Sequence, residues 1–444
     1  MKLTVFPGNP LRGTVLVPGD KSLSHRAVLF AALAEGESRI ENFLVSGVTR
    51  AMLNALKVLG VRWSLEGETL TVEGRGLRGF IAPDASLDCG NSATTIRLLA
   101  GAIAAAGIPA VLDGSAGLRR RPMDRIVEPL RRMGVPISAD AGGGAPLRLL
   151  ERPADQKLNP LDETLPVASA QVKSCLLLAA LAADGETVLR EPGPSRDHTE
   201  RMLGSMGARV TSRVLDGESP VYETRLTPPA NPLRPLHMTL PGDMSAAAFL
   251  IVAGLITPGS EIVIPGVEIN PTRTGLIDAL RAMGADIHVE NETEQAGEPV
   301  ANLRVRSSRL CSGQVCGPLV VRMIDEFSVF GAAAAYAKGV TEVREAAELR
   351  LKESDRISTL VQELNALGAD AKEQADGFTI AGGQSPLGGT ATAHGDHRLA
   401  MAMAVAGLAA HGPVTVEGAE IIDESFPGFV QSLRGLGARI AINQ

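Results

Sequence analysis

Aromatic residues are scarce in this chain, 3% of 444 residues, with one tryptophan (Trp63) and two tyrosines (Tyr222 and Tyr336). Single-stranded nucleic acid is held largely by stacking bases on aromatic rings, so nucleic acid is not an expected partner. Cysteine is scarce too. Cys89, Cys175, Cys311 and Cys316 match no zinc-ligand spacing, and a lone C-x4-C without a histidine cluster does not make a metal site. They are expected to be reduced structural thiols of a cytoplasmic protein. No apolar run approaches the roughly 18 residues that span a bilayer, and the start, MKLTVFPGNPLRG, lacks the apolar centre of a signal peptide. A soluble, cytoplasmic chain without a membrane partner is expected.

Positive charge is also in deficit. Lys plus Arg number 43 against 50 Asp plus Glu, a net charge of −7, which argues against a bulk polyanion as partner. Any local basic cluster therefore calls for a small anionic ligand. What the chain has in quantity is glycine, 48 residues, and small apolar side chains within a hydrophobic fraction of 45%. Its length exceeds what one core supports, so two or more domains are expected.

A repeat organises the chain. A small-residue helical run, then glycine, then a β-branched or apolar stretch recurs six times. The runs are SHRAVLFAALAEGESRI, TTIRLLAGAIAAAGIPAVL, AQVKSCLLLAALAADGETVL, MSAAAFLIVAGLITPGSEIVI, SVFGAAAAYAKGVTEV and HRLAMAMAVAGLAAHGPVTV. Gly36, Gly107, Gly185, Gly259, Gly339 and Gly412 occupy the positions where a helix end favours positive φ. A second, amphipathic helix follows in each copy and stops at Leu-Gly or Met-Gly, with the glycine at 60, 134, 207, 284, 368 and 437. A strand follows each stop. The unit reads β-α-β-α-β with an added strand, repeating about every 70–85 residues.

The first helix of each copy is apolar all round and should be buried on every side, whereas the second should keep one face in solvent. Six buried helices do not share one small core. Three plus three about two pseudo-threefold axes is the expected arrangement, with a junction in the proline-rich stretch Thr227–Pro235.

The residues that open the buried helices are polar and often basic: GDKSLSHR, CGNSATTIR, ASAQVKS, PGDMSAA, MIDEFS and GDHR. A helix start exposes unpaired N–H groups and about half a positive charge, each such start contributing roughly 0.3–1 kcal/mol toward a bound anion. Serine, asparagine and aspartate can serve simply as caps there. Cations in a first turn are disfavoured by the same dipole, and their presence points to an external anion. Lys21, Arg26, Arg121, Lys173, Arg196, Lys352, Arg356 and Arg398 together read as a site for phosphate and carboxylate groups.

The segments GDKSLSHRAVL, CGNSATTIRLLAG, LRRRPMDRIVEPL, ASAQVKSCLLLAAL, SRDHTERML, RLKESDR and GDHRLAMA resemble the signature segments of the 5-enolpyruvylshikimate-3-phosphate synthases, in that family's order. The resemblance implies a two-domain inverse α/β barrel with helices inside and sheets outside. Residues 1–18 plus 239–444 would form domain I and 19–238 domain II, with the active site in the cleft between them. It implies transfer of the carboxyvinyl group of phosphoenolpyruvate to the 5-hydroxyl of shikimate 3-phosphate, without metal or cofactor, by a monomer.

Carried over by position, Lys21, Ser22, Arg26, Ser169, Ala170, Gln171, Arg196, Asp325 and Lys352 would hold shikimate 3-phosphate. Lys21, Asn91, Ala93, Arg121, Gln171, Arg356 and Arg398 would hold phosphoenolpyruvate. Asp325, Glu353, Lys21 and His397 would take part in the proton movements. Asp325 also reads as the N-cap of the SVFGAAAAY helix, a role compatible with the first, and His397 also reads as a packed, hydrogen-bonded histidine. Three departures stand out. Ala93 replaces a common glycine, and its methyl group is expected to weaken inhibition by glyphosate. Ala170 replaces a common serine. Glu424 stands where many members carry a phosphoenolpyruvate-contacting lysine and is left out of the site. Two other readings compete: a UDP-N-acetylglucosamine 1-carboxyvinyltransferase, from which Lys21-Ser22 and a cysteine-free LRRRPMD loop depart, and a non-catalytic scaffold that binds phosphorylated ligands.

Overall fold

Six helices of the computed structural model have almost no solvent-facing side, as their composition demands. The structure describes residues 1–215, 217, 220–295 and 297–443. The chain divides into unit I (Met1–Pro18, Pro241–Glu294 and Pro299–Gln444) and unit II (Gly19–Leu240 with Gln295–Glu298). Unit II holds inner helices α1 (Lys21–Leu33), α2 (Ala93–Ala106) and α3 (Ala170–Ala180). Unit I holds α4 (Met244–Ile256), α5 (Phe327–Tyr336) and α6 (His397–Ala406). Every residue of α4 is buried. In unit I the three inner helices pack pairwise on one another, and in unit II α2 packs on both α1 and α3. Each set is the centre of its own hydrophobic core. Among the described residues, no helix is long and apolar enough to cross a membrane.

Outside the inner helices lie amphipathic ones, such as Asp124–Arg132 and Arg356–Ala366, and the sheets. Among the described residues the strands form six four-stranded sheets with one recurring order. In one of them Leu87–Asp88 runs parallel to Ala110–Asp113, which pairs antiparallel with Leu147–Leu149, itself antiparallel to Ile137–Ser138. Distant segments complete three of the sheets. His237–Thr239 joins Glu35–Glu41 in parallel, Arg12–Thr14 joins Glu261–Glu268, and Lys2–Phe6 pairs with both Val414–Glu417 and Arg439–Asn443.

The six Leu-Gly and Met-Gly stops share one closure. Gly60, Gly134, Gly207, Gly284, Gly368 and Gly437 all have positive φ, between 83° and 108°. At the first, the Gly60 N–H donates to Lys57 O (3.1 Å) and the Val61 N–H to Leu56 O (2.9 Å), the paired bonds of a Schellman end. The same pair of bonds recurs at the other five stops. The glycines after the inner helices behave less uniformly than expected. Gly36, Gly107, Gly259 and Gly339 have positive φ, but Gly185 and Gly412 do not. The chain leaves α3 through successive turns at Leu181–Ala183, and leaves α6 through the 3-10 turn Gly407–Ala409, so both glycines lie beyond the helix end. Only Gly107 is itself a left-handed cap; α1 ends on extended Ala34.

One inner glycine is fixed by packing. A Cβ at Gly101 in α2 would lie 2.2 Å from the Cys175 carbonyl oxygen of α3, a backbone atom that cannot swing aside. Gly204, in the outer helix His198–Ser205, has open space around that position. Gly101→Ala is therefore expected to destabilise by about 1–3 kcal/mol through overpacking, while Gly204→Ala is neutral or stabilising by up to about 1 kcal/mol. Thermal midpoints of the two variants against wild type check the contrast.

Candidate active site

In unit II most of the expected site residues stand at or near the starts of α1, α2 and α3. Asp20 caps α1, accepting from the Leu23 N–H at 2.7 Å, which leaves Lys21 and Ser22 as the first two helical residues, both half-buried. Arg26, one turn on, is only 2% exposed. Its Nε donates to Thr199 Oγ1 (2.8 Å), Nη1 to Ser22 O (3.0 Å) and Nη2 to Ser174 Oγ (2.8 Å). Burial holds its pKa down at about 10, against the pull of Glu200. Arg196 donates from Nη1 to Ser22 Oγ at 3.3 Å, so Ser22 lies between two guanidinium groups.

At α3, the Ser169 hydroxyl accepts from the Val172 N–H (3.5 Å), and its own N–H donates to Glu191 (2.8 Å). Ala170 is the first helical residue, and its carbonyl accepts from Ser174 Oγ (2.5 Å), the same hydroxyl that receives Arg26. Arg26 therefore ties α1 to α3. The Gln171 carboxamide is fixed at both ends: its oxygen accepts from Arg97 (2.5 Å) and its nitrogen donates to Thr94 Oγ1 (2.9 Å). Asn91 accepts from Ser115 Oγ (2.9 Å), and Ala93 begins α2, buried. Of the three consecutive arginines at 119–121, Arg119 is exposed and paired with Asp113 (2.5 Å), and Arg121 is the half-buried one.

One expected cation does not face a ligand. Lys173 is 5% exposed and makes ion pairs with Glu191 (2.9 Å) and Glu200 (2.8 Å). Burial opposes its charge, but the two carboxylates outweigh that and raise its pKa. It neutralises the core and belongs to the scaffold. Arg97 is the residue that sequence reasoning passed over; it lies inside the CGNSATTIR segment, one helical turn beyond Ala93, and sets the orientation of Gln171. The thiols also divide differently from expectation. Cys89 and Cys175 are buried, whereas Cys311 and Cys316 are exposed and so do not contribute to a core.

In unit I three cations surround one carboxylate. Lys352 Nζ lies 3.8 Å and Arg356 Nη1 3.5 Å from Asp325 Oδ1, and Arg398 Nη2 lies 3.6 Å from Oδ2. Arg398 also donates from Nη1 to the Asp325 carbonyl at 3.0 Å. Asp325 is not the cap of α5. That position belongs to Glu326, which makes no side-chain capping bond and instead accepts a short hydrogen bond from Ser245.

Arg356, 3% exposed, donates to Glu353 (2.6 Å) and to Asp396 (2.7 Å). Burial works against its charge, yet Asp396, Glu353 and Asp325 overcome this and raise its pKa above the ordinary range. Asp396 caps α6 through the Arg398 N–H (2.9 Å). Burial opposes its ionisation, but Arg356 prevails and holds its pKa below the usual carboxylate value. His397 begins α6 and is buried. Glu424 ends the 3-10 turn Ala419–Glu424.

Comparison with known proteins points one way. Residues 5–433 match the family model described as EPSP synthase (3-phosphoshikimate 1-carboxyvinyltransferase). The 3-phosphoshikimate 1-carboxyvinyltransferase of Geobacter sp. (strain M21) is 46% identical over 442 residues, covering 98% of this chain and 99% of that protein. That of Salinibacter ruber is 47% identical over 436 residues, at 98% and 99% coverage. Among solved structures, EPSP synthase from Acinetobacter baumannii superposes with a TM-score of 0.86 at 39% identity, covering both chains fully. The enolpyruvyl transferase NikO from Streptomyces tendae shares the fold, with a TM-score of 0.77 at 22% identity over 99% of this chain and 98% of its own.

A titration follows from the start of α1. His25 donates from Nδ1 to Lys21 O (2.8 Å), and its Nε2 faces Ser92 Oγ at 3.4 Å. Burial, helped by the Lys21 and Arg26 charges, pushes its pKa down to about 4 from 6.5. Between those values the unfolded chain takes up a proton that the native state refuses. Stability is thus full above pH 6.5 and falls toward pH 4, by up to about 3 kcal/mol from this group. His25→Gln should flatten the stability-versus-pH curve across that window in urea unfolding; identical slopes for variant and wild type would contradict the assignment.

Proposed function

The chain belongs to the EPSP synthase family and catalyses its reaction, carboxyvinyl transfer from phosphoenolpyruvate to the 5-hydroxyl of shikimate 3-phosphate with release of phosphate, and on that premise we propose how its residues divide the work. The reaction is an addition followed by an elimination. In the first step the hydroxyl oxygen bonds to C2 of phosphoenolpyruvate, the hydroxyl proton leaves, and C3 gains a proton. In the second, C3 loses a proton, the C2–O bond to phosphate breaks, and the double bond returns. Each step needs a base on one side and an acid on the other.

Asp325 is proposed as the group that receives the hydroxyl proton, and Glu353 as the group that handles the proton at C3. Arg356 and Arg398 stabilise the negative charge of phosphoenolpyruvate and of the adduct, and Lys352, beside Asp325, helps to hold shikimate 3-phosphate. The observation that carries this reading is the convergence of those three cations within 3.8 Å of Asp325. Ser22, Arg26, Ser169, Gln171 and Arg196 hold shikimate 3-phosphate, with Ser22 and Arg196 on its phosphate. Arg26 contributes mainly through position: three of its donors are engaged within the protein, and its charge lies behind Ser22. Lys21, Asn91 and Arg121 assist with phosphoenolpyruvate. His397, buried beside Asp396, supports the same group. Because both residue sets lie on one chain, we further propose that it works as a cytoplasmic monomer.

Phosphate release from phosphoenolpyruvate should occur with shikimate 3-phosphate and not with UDP-N-acetylglucosamine. In the same assay Asp325→Ala should lose roughly a hundredfold or more in kcat with KM values changed far less, as for a group acting on the proton in flight; a near-normal kcat would remove it from the mechanism. Ala93→Gly is expected to lower the glyphosate concentration that halves activity, and unchanged sensitivity would refute the role given to the Ala93 methyl.

A further inference from the structure

The position of Arg398 depends on a turn that contains none of the proposed substrate contacts. The strand Gly389–Thr392 leads into this turn, and Asp396, His397 and Arg398 follow it. Within the turn His394 has φ 51° and Gly395 φ 68°, and the Asp396 N–H closes onto Ala393 O at 2.8 Å. A side chain in the left-handed region costs about 1 kcal/mol or more, so the surroundings must impose this shape.

Glu363 imposes it. Its Oε1 accepts from His394 Nε2 at 2.6 Å, and its Oε2 accepts from the Thr392 N–H at 2.8 Å. The carboxylate side chain is 4% exposed, and with a carboxylate as acceptor the imidazole must carry its proton on Nε2. Both oxygens are thereby used on the two sides of one turn. Glu363 belongs to the outer helix Arg356–Ala366 and stands about two helical turns from Arg356. At its other end that helix grips the same turn, through the bond from Arg356 to Asp396 at 2.7 Å. One helix thus carries a proposed phosphoenolpyruvate ligand and fixes both ends of the turn that delivers the other.

We infer that Glu363 and His394 form a clamp that sets Arg398 against Arg356 and Asp325, and that both are positioning residues for phosphoenolpyruvate. The inference rests on the assignment of Arg356 and Arg398 to that substrate. Neither clamp residue is among the proposed substrate contacts. Their loss moves Arg398 while leaving the shikimate 3-phosphate contacts of unit II alone.

The test separates the two substrates. His394→Asn keeps a residue at ease in the left-handed region but is too short to reach Glu363. His394→Gln extends an amide nitrogen to about the reach of Nε2. Steady-state kinetics should show the KM for phosphoenolpyruvate raised roughly tenfold in His394→Asn, with that for shikimate 3-phosphate within about twofold of wild type. The Gln variant should be restored to within about threefold. A wild-type KM for phosphoenolpyruvate in the Asn variant, or an equal rise for both substrates, overturns the clamp. Should the Asn variant fail to fold, Glu363→Met, which keeps the side-chain length and removes both acceptor oxygens, carries the same test with the same outcomes. Arg398→Lys is measured alongside. If it leaves the KM for phosphoenolpyruvate unchanged, the ligand assignment fails and the clamp falls with it; if it raises that KM and the clamp variants do not, the clamp alone fails.

Discussion

A helix can bury its whole circumference only if the N–H groups of its first turn find partners, and that requirement governs where chemistry collects in this molecule. The inner helices are too apolar to tolerate solvent along their length, so polarity is confined to their ends. Five of the six start on a side chain that accepts from the first turn: Asp20, Ser92, Ser169, Asp243 and Asp396. The sixth, α5, starts without such a bond, and it is there that Asp325 and Glu326 stand. Polar residues needed for capping and polar residues needed for chemistry therefore occupy the same short stretches.

Charge balance differs between the two units. In unit I the three cations Lys352, Arg356 and Arg398 meet four carboxylates, Asp325, Glu326, Glu353 and Asp396. Such a set is stable only while its members remain together, because removing one partner of a buried pair typically costs about 3–5 kcal/mol. In unit II Arg26 donates to the Ser22 carbonyl and Arg196 to the Ser22 hydroxyl, while the buried carboxylates Glu191 and Glu200 are engaged by Lys173. Asp20 and Glu298 add further negative charge around Arg26.

Much of this was legible in the chain because the signals are local. Helical spacing, the Leu-Gly and Met-Gly stops and the polar helix starts each lie within a few residues, and all six stops close as their glycines imply. The convergence of Lys352, Arg356 and Arg398 on Asp325 was approached through resemblance, since residues 325, 352 and 398 are remote in sequence. What remained hidden was partnership. Nothing in ASAQVKS distinguishes Lys173, paired with two carboxylates, from a lysine awaiting a ligand; the answer lies in Glu191 and Glu200 on later elements. Gly185 and Gly412 looked like helix caps because spacing does not reveal an extra turn after a helix. Strand closure by Arg12–Thr14 and His237–Thr239 was equally invisible, being set by contacts about two hundred residues away.

The close approach of α2 and α3 at Gly101 also decides how the molecule meets oxidants. Cys175 lies at that contact, where burial lifts its thiol to about 12, and burial likewise raises Cys89. Reactivity belongs to the thiolate, so both are inert in the native state. The two sulfurs open to solvent, Cys311 and Cys316, are both in unit I. Thiol-directed reagents therefore mark one half of the protein, while the cysteines of the other stay silent until unit II itself comes apart.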